Sequence, residues 1–139
     1  MINNQLDNEI RKVKNLISKC EKDEKKYEDK VFESEEKLRK LTSSLDKVNN
    51  TFYKFDMLNR SFKELTENRF VISWVESRES INLSEKNDAN KDMDASYNEQ
   101  LKEQNSYRDK LEDCRILKNS LNKKLKILEE RKKQETNLL

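Results

Sequence analysis

The sequence predicts an all-α fold, in which long helices form an antiparallel helical hairpin or coiled coil that partner helices complete. The 139 residues include no glycine and no proline, which supply most tight turns, helix ends and loop breaks. Charged residues make up 42% of the chain and hydrophobic residues 32%, enough to line helix faces but too few for a thick core. A sustained seven-residue repeat of apolar side chains runs through the first half.

This repeat predicts one helix over about residues 3–80. With Ile10 at heptad position a, six of nine a positions and eight of nine d positions are apolar, and the phase holds from Leu6 to Phe62. The two series form the seam, the stripe that faces a neighbouring helix in a coiled coil. The a series is Asn3, Ile10, Ile17, Glu24, Val31, Leu38, Leu45, Phe52 and Asn59, and the d series is Leu6, Val13, Cys20, Tyr27, Ser34, Leu41, Val48, Phe55 and Phe62.

The seam is more polar and bulkier than that of a simple two-stranded coiled coil. Buried polar residues cost stability but can fix the register and number of partners, and here they are Asn3, Glu24, Ser34 and Asn59. Aromatic seam residues favour a hairpin or a bundle of three or more helices. Further apolar residues outside a and d widen the stripe, so more than one neighbour is expected: Leu16, Phe32, Leu58 and Leu65.

A second helix is predicted over about residues 92–134, followed by a frayed tail. Apolar residues recur there at spacings of three and four, with polar interruptions at Gln100, Gln104 and Lys118. We expect the turn within residues 82–92, a segment dense in Asn, Asp and Ser, which favour turns and helix caps. A turn nearer Trp74 is the alternative, and it would give arms of nearly equal length.

Helices of unequal length would leave the N-terminal half of the first helix without a partner in its own chain. Its seam is too apolar to stay bare, so we expect helices of another protein, or of a second copy, to cover Ile10, Val13, Ile17 and Cys20.

An apolar segment near the middle of the chain is a second candidate interface. Phe70, Val71, Ile72 and Trp74 leave the heptad phase, which predicts a contact surface at the bent end of the hairpin. The alternative is that Trp74 closes the open end of the hairpin as part of its core.

The composition predicts a protein that is not an enzyme. There is no histidine to act as a general base or metal ligand, and no glycine for a phosphate-binding loop. Cys20 and Cys114 have no metal-ligand spacing and occupy seam positions, which favours buried thiols over a disulfide. We therefore expect no catalytic residue, no metal and no cofactor.

Charge and hydropathy bear on location and partners. With 30 basic and 28 acidic residues the net charge is +2, which gives no basic excess for nucleic acid, although the basic segment from Arg115 to Lys133 leaves nucleic acid or lipid as a minor alternative. The N-terminal segment lacks the pattern of a signal peptide, and no apolar run approaches the ~18 residues of a membrane span. We expect a cytoplasmic protein that a dedicated secretion system could export together with its partner.

The layout of the chain resembles a family of bacterial secretion proteins. A long charged helix, an isolated Trp74 within residues 69–76 and a second long charged helix are similar to the small helical partner proteins encoded beside LXG-type toxins of the type VII (WXG/ESX-like) secretion system. The resemblance implies an adaptor or chaperone that pairs with the helical N-terminal domain of the toxin, or with a sister small helical protein, and targets the toxin for export. Small WXG proteins carry Trp-x-Gly at the turn, whereas Trp74 is followed by Val75 and Glu76.

Phe52 and Asp56 match the Phe-x-x-x-Asp export signal of some sister proteins, but in the middle of the chain. Since Phe52 is also a seam residue, a core role is the alternative. A different class of function stays open beside the adaptor: a structural coiled-coil stalk or scaffold of another secretion apparatus or of a phage, or a homo-oligomeric spacer.

Overall fold

A computed structural model describes the backbone of residues 2–138 and the side chains of residues 4–138. Helix α1 spans Ile2–Leu65 and helix α2 spans Arg69–Leu138, so that residues 66–68 alone in the described range lie outside a helix. The two helices run antiparallel and pack against each other, which confirms the predicted all-α helical hairpin. The side chain of Asn3, assigned to the seam, lies outside the described residues.

The turn is built by polar side chains that cap the second helix. Asn68 Oδ1 accepts a hydrogen bond of 2.9 Å from the Phe70 N–H, and the Asn68 carbonyl accepts one of 3.1 Å from the Ile72 N–H. The Asn68 N–H donates to Thr66 Oγ1 at 3.2 Å. Asn68 is therefore the N-cap of α2. The described residues include none with positive φ, so this turn does not need a glycine.

The predicted turn within residues 82–92 is wrong, because this segment lies inside α2. Asn, Asp and Ser lower helix propensity by only about 0.7 kcal/mol or less relative to Ala. Lys86 and Ala89 in this segment and Met93 just after it are half-buried along one helix face, and this packing outweighs that preference. The predicted frayed tail is wrong as well, since α2 continues to Leu138 and the Thr136 hydroxyl donates to the Lys132 carbonyl at 2.8 Å.

With the turn at residues 66–68, the arms have 64 and 70 residues and are nearly equal. The expectation that the N-terminal half of α1 lacks a partner in its own chain is therefore wrong. The helices form two compact units, each an antiparallel pair of helical segments. The first unit holds the described residues up to Glu33 and from Glu103 onward, and the second unit is Ser34–Lys102.

The first unit contains the main apolar core. Leu6, Ile10, Val13 and Ile17 on α1 are buried together with Leu128, and Leu121 and Leu125 pack against this cluster. The Tyr27 ring lies against the Tyr107 ring, with an interplanar angle of 31° and ring centroids 6.4 Å apart. Ion pairs also join the two helices. Asp7 pairs with Lys132 at 2.6 Å and Glu28 with Arg115 at 3.4 Å beside the seam, and Glu24 pairs with Lys118 at 3.6 Å within it.

The second unit has a thinner core. Val75 is completely buried, and every other described hydrophobic side chain of this unit is half-buried or exposed. The seam residues Leu38, Leu41, Leu45, Val48 and Phe52 are half-buried. Near the turn, Lys63 forms an ion pair with Glu79 at 2.8 Å.

The seam of α1 changes phase near the turn. Every a and d residue from Leu6 to Phe52 is buried or half-buried, but the d residues Phe55 and Phe62 are exposed, while Asn49 and Lys63 at e positions are half-buried. A straight helix drifts by about 20° per seven residues relative to a strict heptad. Since the heptad phase is kept as far as Phe52, this drift begins only beyond that residue. Phe55 and Phe62 then rotate out of the seam, and their assignment to it is wrong.

Helix α2 carries a seven-residue series that the sequence analysis missed. Its members are all buried or half-buried, from Ile72 through Glu79, Lys86, Met93, Gln100, Tyr107, Cys114, Leu121 and Leu128 to Glu135. Polar members conceal the repeat. Gln104 and Lys118, interpreted as interruptions, also lie in the seam, whereas Tyr97 and Leu117 are exposed.

Candidate protein-interaction surface

Large apolar side chains are exposed on both helices beside the turn. On α1 they recur at spacings of three and four, and on α2 adjacent residues just after the turn are followed by residues three and then seven positions further on. We call this set the apolar face: Phe55, Leu58, Phe62, Leu65, Phe70, Val71, Trp74 and Ile81. The exposed fraction reaches 59% for Trp74 and 88% for Phe70.

The other side of the same helix pair is charged. An open groove of about 620 Å³ runs between the helices there. It is lined by Asp56, Arg60, Lys63, Glu76, Glu79, Ser80 and Leu83.

The helical repeat places the apolar face opposite this groove. Successive residues are about 100° apart around a helix. On α1, Phe55 and Phe62 lie on one side of the seam residue Asn59, and Arg60 lies on the other. On α2, Trp74 lies on one side of the buried Val75. Glu76, which lines the groove together with Arg60, lies on the other side. The second unit therefore has one apolar and one charged side.

Arg78 places a single cation on the apolar face. Its guanidinium lies over the Trp74 ring, 5.2 Å from the ring centroid. No described carboxylate lies within ion-pair distance of the Arg78 guanidinium. The next carboxylate on the same side of α2 is Glu85, seven residues or about 10 Å further along the helix. A guanidinium that lies over an aromatic ring can still donate hydrogen bonds from its N–H groups to a carboxylate.

The residues predicted near the bent end are divided by the structure. Phe70, Val71 and Trp74 are exposed. Ile72 is half-buried in the seam, so its assignment to a surface outside the seam is wrong. It lies one helical turn before the buried Val75 and two turns before the half-buried Glu79 on the inner face. Trp74 does not close the end of the hairpin.

The other predicted interface residues lie apart from the apolar face. Ile10, Val13, Ile17 and Cys20 are buried in the first unit, where α2 covers them. Phe52 is half-buried in the seam, and Asp56 is exposed on the charged groove. The two residues of the Phe-x-x-x-Asp motif therefore lie on different faces of α1, with Phe52 on the inner face and Asp56 on the groove side.

Several members of the apolar face were not recognised from the sequence as interface residues. Phe55 and Phe62 fitted the heptad, and Leu58 and Leu65 were interpreted as widening it. They could have been recognised because they share one side of the helix pair with Val71, Trp74 and Ile81. That grouping can be seen in the sequence only when the position of the turn is known.

Neither a metal site nor a membrane span was found among the described residues. They contain no group of three or more side chains suited to hold a metal ion. Neither described helix includes a stretch apolar enough to cross a membrane. Comparison with protein-family models, with curated proteins and with solved structures finds no match to this chain.

Proposed function

We propose that this protein is a non-enzymatic helical adaptor or chaperone, whose apolar face binds an amphipathic helix from the helical domain of a partner protein. The observation that carries the proposal is the apolar face itself. Eight large apolar residues are exposed on one side of the helix pair, beside a turn, while the opposite side is charged. Contiguous apolar surface with aromatic anchors is typical of protein interfaces.

Charge complementarity specifies the partner helix further. Arg78 lies inside the apolar face, and burying it without a counter-charge would cost several kcal/mol. In a pair of identical copies, the next carboxylate on the same side of α2 is Glu85, seven residues from Arg78, so the two apolar faces would have to be offset by about 10 Å to pair these charges. The occupant is therefore a helix of a different protein, with an apolar stripe interrupted by one aspartate or glutamate.

The partner we propose is an LXG-type toxin of a type VII secretion system, and the role is to target that toxin for export. The layout of two long charged helices with Trp74 near the middle supports this choice. The apolar face includes residues of both helices, so a third helix packed along it would bury the aromatic side chains beside the turn.

The test uses two aliphatic residues that are close in sequence but on opposite sides of α2. Ile81 belongs to the apolar face and Leu83 lines the charged groove, and both are exposed. The chain is co-expressed with the helical N-terminal domain of a toxin encoded beside its gene, and the complex is isolated by size-exclusion chromatography with light scattering. We expect Ile81→Asp to abolish the complex and Leu83→Asp to preserve it, with equal thermal stability of both variants.

Arg78→Glu should also abolish the complex, and a lysine in place of the facing carboxylate of the partner should restore it. Equal effects of Ile81→Asp and Leu83→Asp would contradict the proposed surface. Self-association of the chain through the apolar face, without any complex, would favour the homo-oligomeric spacer instead.

A further inference from the structure

The two cysteines lie opposite each other in the first unit. In an antiparallel helix pair, a step of seven residues along one helix corresponds to a step of seven back along the other. Tyr27 and Tyr107 face each other with ring centroids 6.4 Å apart. One such step from this pair reaches Cys20 and Cys114.

Two further steps confirm the alignment. They reach Val13 with Leu121, and then Leu6 with Leu128, and all four residues belong to the core cluster or pack against it. The cysteine layer therefore lies between an aromatic layer and an apolar layer of known partners. Cys20 is buried, Cys114 is half-buried, and both are free thiols.

The spacing across such a seam suits a disulfide. Packed helices have axes about 8–10 Å apart, and each Cα lies about 2.3 Å from its axis. Cα atoms that face each other directly are then about 3.4–5.4 Å apart, and this range overlaps the ~4.4–6.8 Å that a disulfide spans. The mutual influence of the thiols agrees with this proximity: burial raises the pKa of the Cys114 thiol, and the Asp23 carboxylate and then the Cys20 thiol raise it further.

We propose that Cys20 and Cys114 are a site of intramolecular disulfide formation, which locks α1 to α2 when the protein meets a small disulfide oxidant. One protein thiolate attacks a sulfur of the oxidant, forms a mixed disulfide and releases one small thiol. The second protein thiolate attacks the mixed disulfide and releases the other small thiol. Two protein thiols lose two electrons, and their two protons end on the two small thiols.

The environment of Cys114 sets the pH dependence of this reaction. Asp23, Cys20 and Glu24 on α1 and Asp113 on α2 all raise its pKa, and Lys118 is paired with Glu24. Only the thiolate reacts, and a raised pKa lowers the thiolate fraction at a given pH. We therefore expect slow oxidation at neutral pH and a rate that continues to rise above the ordinary pKa of a cysteine.

The experiment uses the full chain at micromolar concentration with oxidised glutathione as the oxidant. The expected product is a monomer that lacks two hydrogen atoms and migrates faster on a non-reducing gel. Trypsin should release Cys20–Lys22 joined to Leu111–Arg115. The bond closes a long loop of the unfolded chain, so the melting temperature should rise by about 10 °C and return to its original value after reduction.

Cys20→Ser and Cys114→Ser are the matched controls, and neither should show the fast-migrating product or the stabilisation. Two free thiols after prolonged oxidation at high pH would overturn the proposal. Disulfide-linked dimers without the intramolecular bond would overturn it equally, because they would show that the thiols do not face each other within one chain.

Discussion

Hydrogen bonds to two side chains stabilise the reversal of the chain. Thr66 and Asn68 supply oxygen acceptors for backbone N–H groups that the start of α2 would otherwise leave without a partner. The Phe70 N–H donates to Asn68 Oδ1 at 2.9 Å, which is a good hydrogen-bond length. Because no described residue has positive φ, ordinary polar residues suffice where many hairpins use glycine.

Asn68→Ala should destabilise the protein by about 1 kcal/mol, because it removes the N-cap acceptor of α2. The measurement is the midpoint of urea unfolding followed by circular dichroism. Asn68→Asp is the control: it keeps an acceptor and adds a negative charge at a helix N-terminus, so its midpoint should equal or exceed that of the unchanged protein. If Asn68→Ala unfolds at the original midpoint, the cap contributes nothing to stability.

At the scale of the helices, burial follows the heptad of α1 closely but not to its end. The repeat predicted the inner face from Leu6 to Phe52 correctly, since a short-range pattern is enough to identify one helix face. It failed at Phe55 and Phe62, where accumulated drift rotates the d positions outward. Drift depends on how far the helices supercoil, which a residue pattern alone does not determine.

The position of the turn was less predictable for a different reason. Thr66 and Asn68 are two polar residues among many, and residues 82–92 hold a denser cluster of the same types. The choice between them depends on which register pairs the seam of α1 with the series from Ile72 to Glu135. That series was concealed by Glu79, Lys86 and Gln100, so the apolar face could not be assembled from the sequence.

Leu41→Asp should destabilise the helix pair by about 2 kcal/mol or more, whereas Lys40→Asp should change stability by about 0.5 kcal/mol or less. Leu41 is half-buried and shares a groove with Leu45, Met93 and Tyr97, so a carboxylate there would be partly desolvated. Lys40 is exposed. Both variants introduce the same residue into the same turn of α1, so helix propensity cancels in the comparison. Thermal unfolding of the two proteins checks it, and equal melting temperatures would refute the assigned inner face.

On the scale of the whole molecule, apolar side chains are distributed unequally. Seven of the eight described hydrophobic residues in the buried class belong to the first unit, and Val75 belongs to the second. The apolar face belongs entirely to the second unit. Local stability follows the number of buried apolar contacts, so the second unit is the part expected to open more readily and to gain most from a bound helix.

Fluorescence of Trp74 reports on this directly, since it is the single tryptophan of the chain. In the free protein Trp74 is 59% exposed, so iodide should quench its emission efficiently. In the complex with a partner helix, quenching should fall several-fold because the ring is covered. Protection that is already present in the free protein would mean that Trp74 is part of a core. A partner that carries no tryptophan keeps the measurement specific.

The core of the first unit joins residues 6–17 of α1 to residues 121–128 of α2. A ribosome delivers Leu6 about a hundred residues before Leu121. At about 5–20 residues per second, the apolar stripe of the nascent helix waits roughly 5–20 s for the segment that will cover it. During that interval it is a substrate for any factor at the ribosomal exit that binds uncovered apolar helices. We expect pairing to advance from the turn along both helices, so that the layers of the first unit form after those beside the turn.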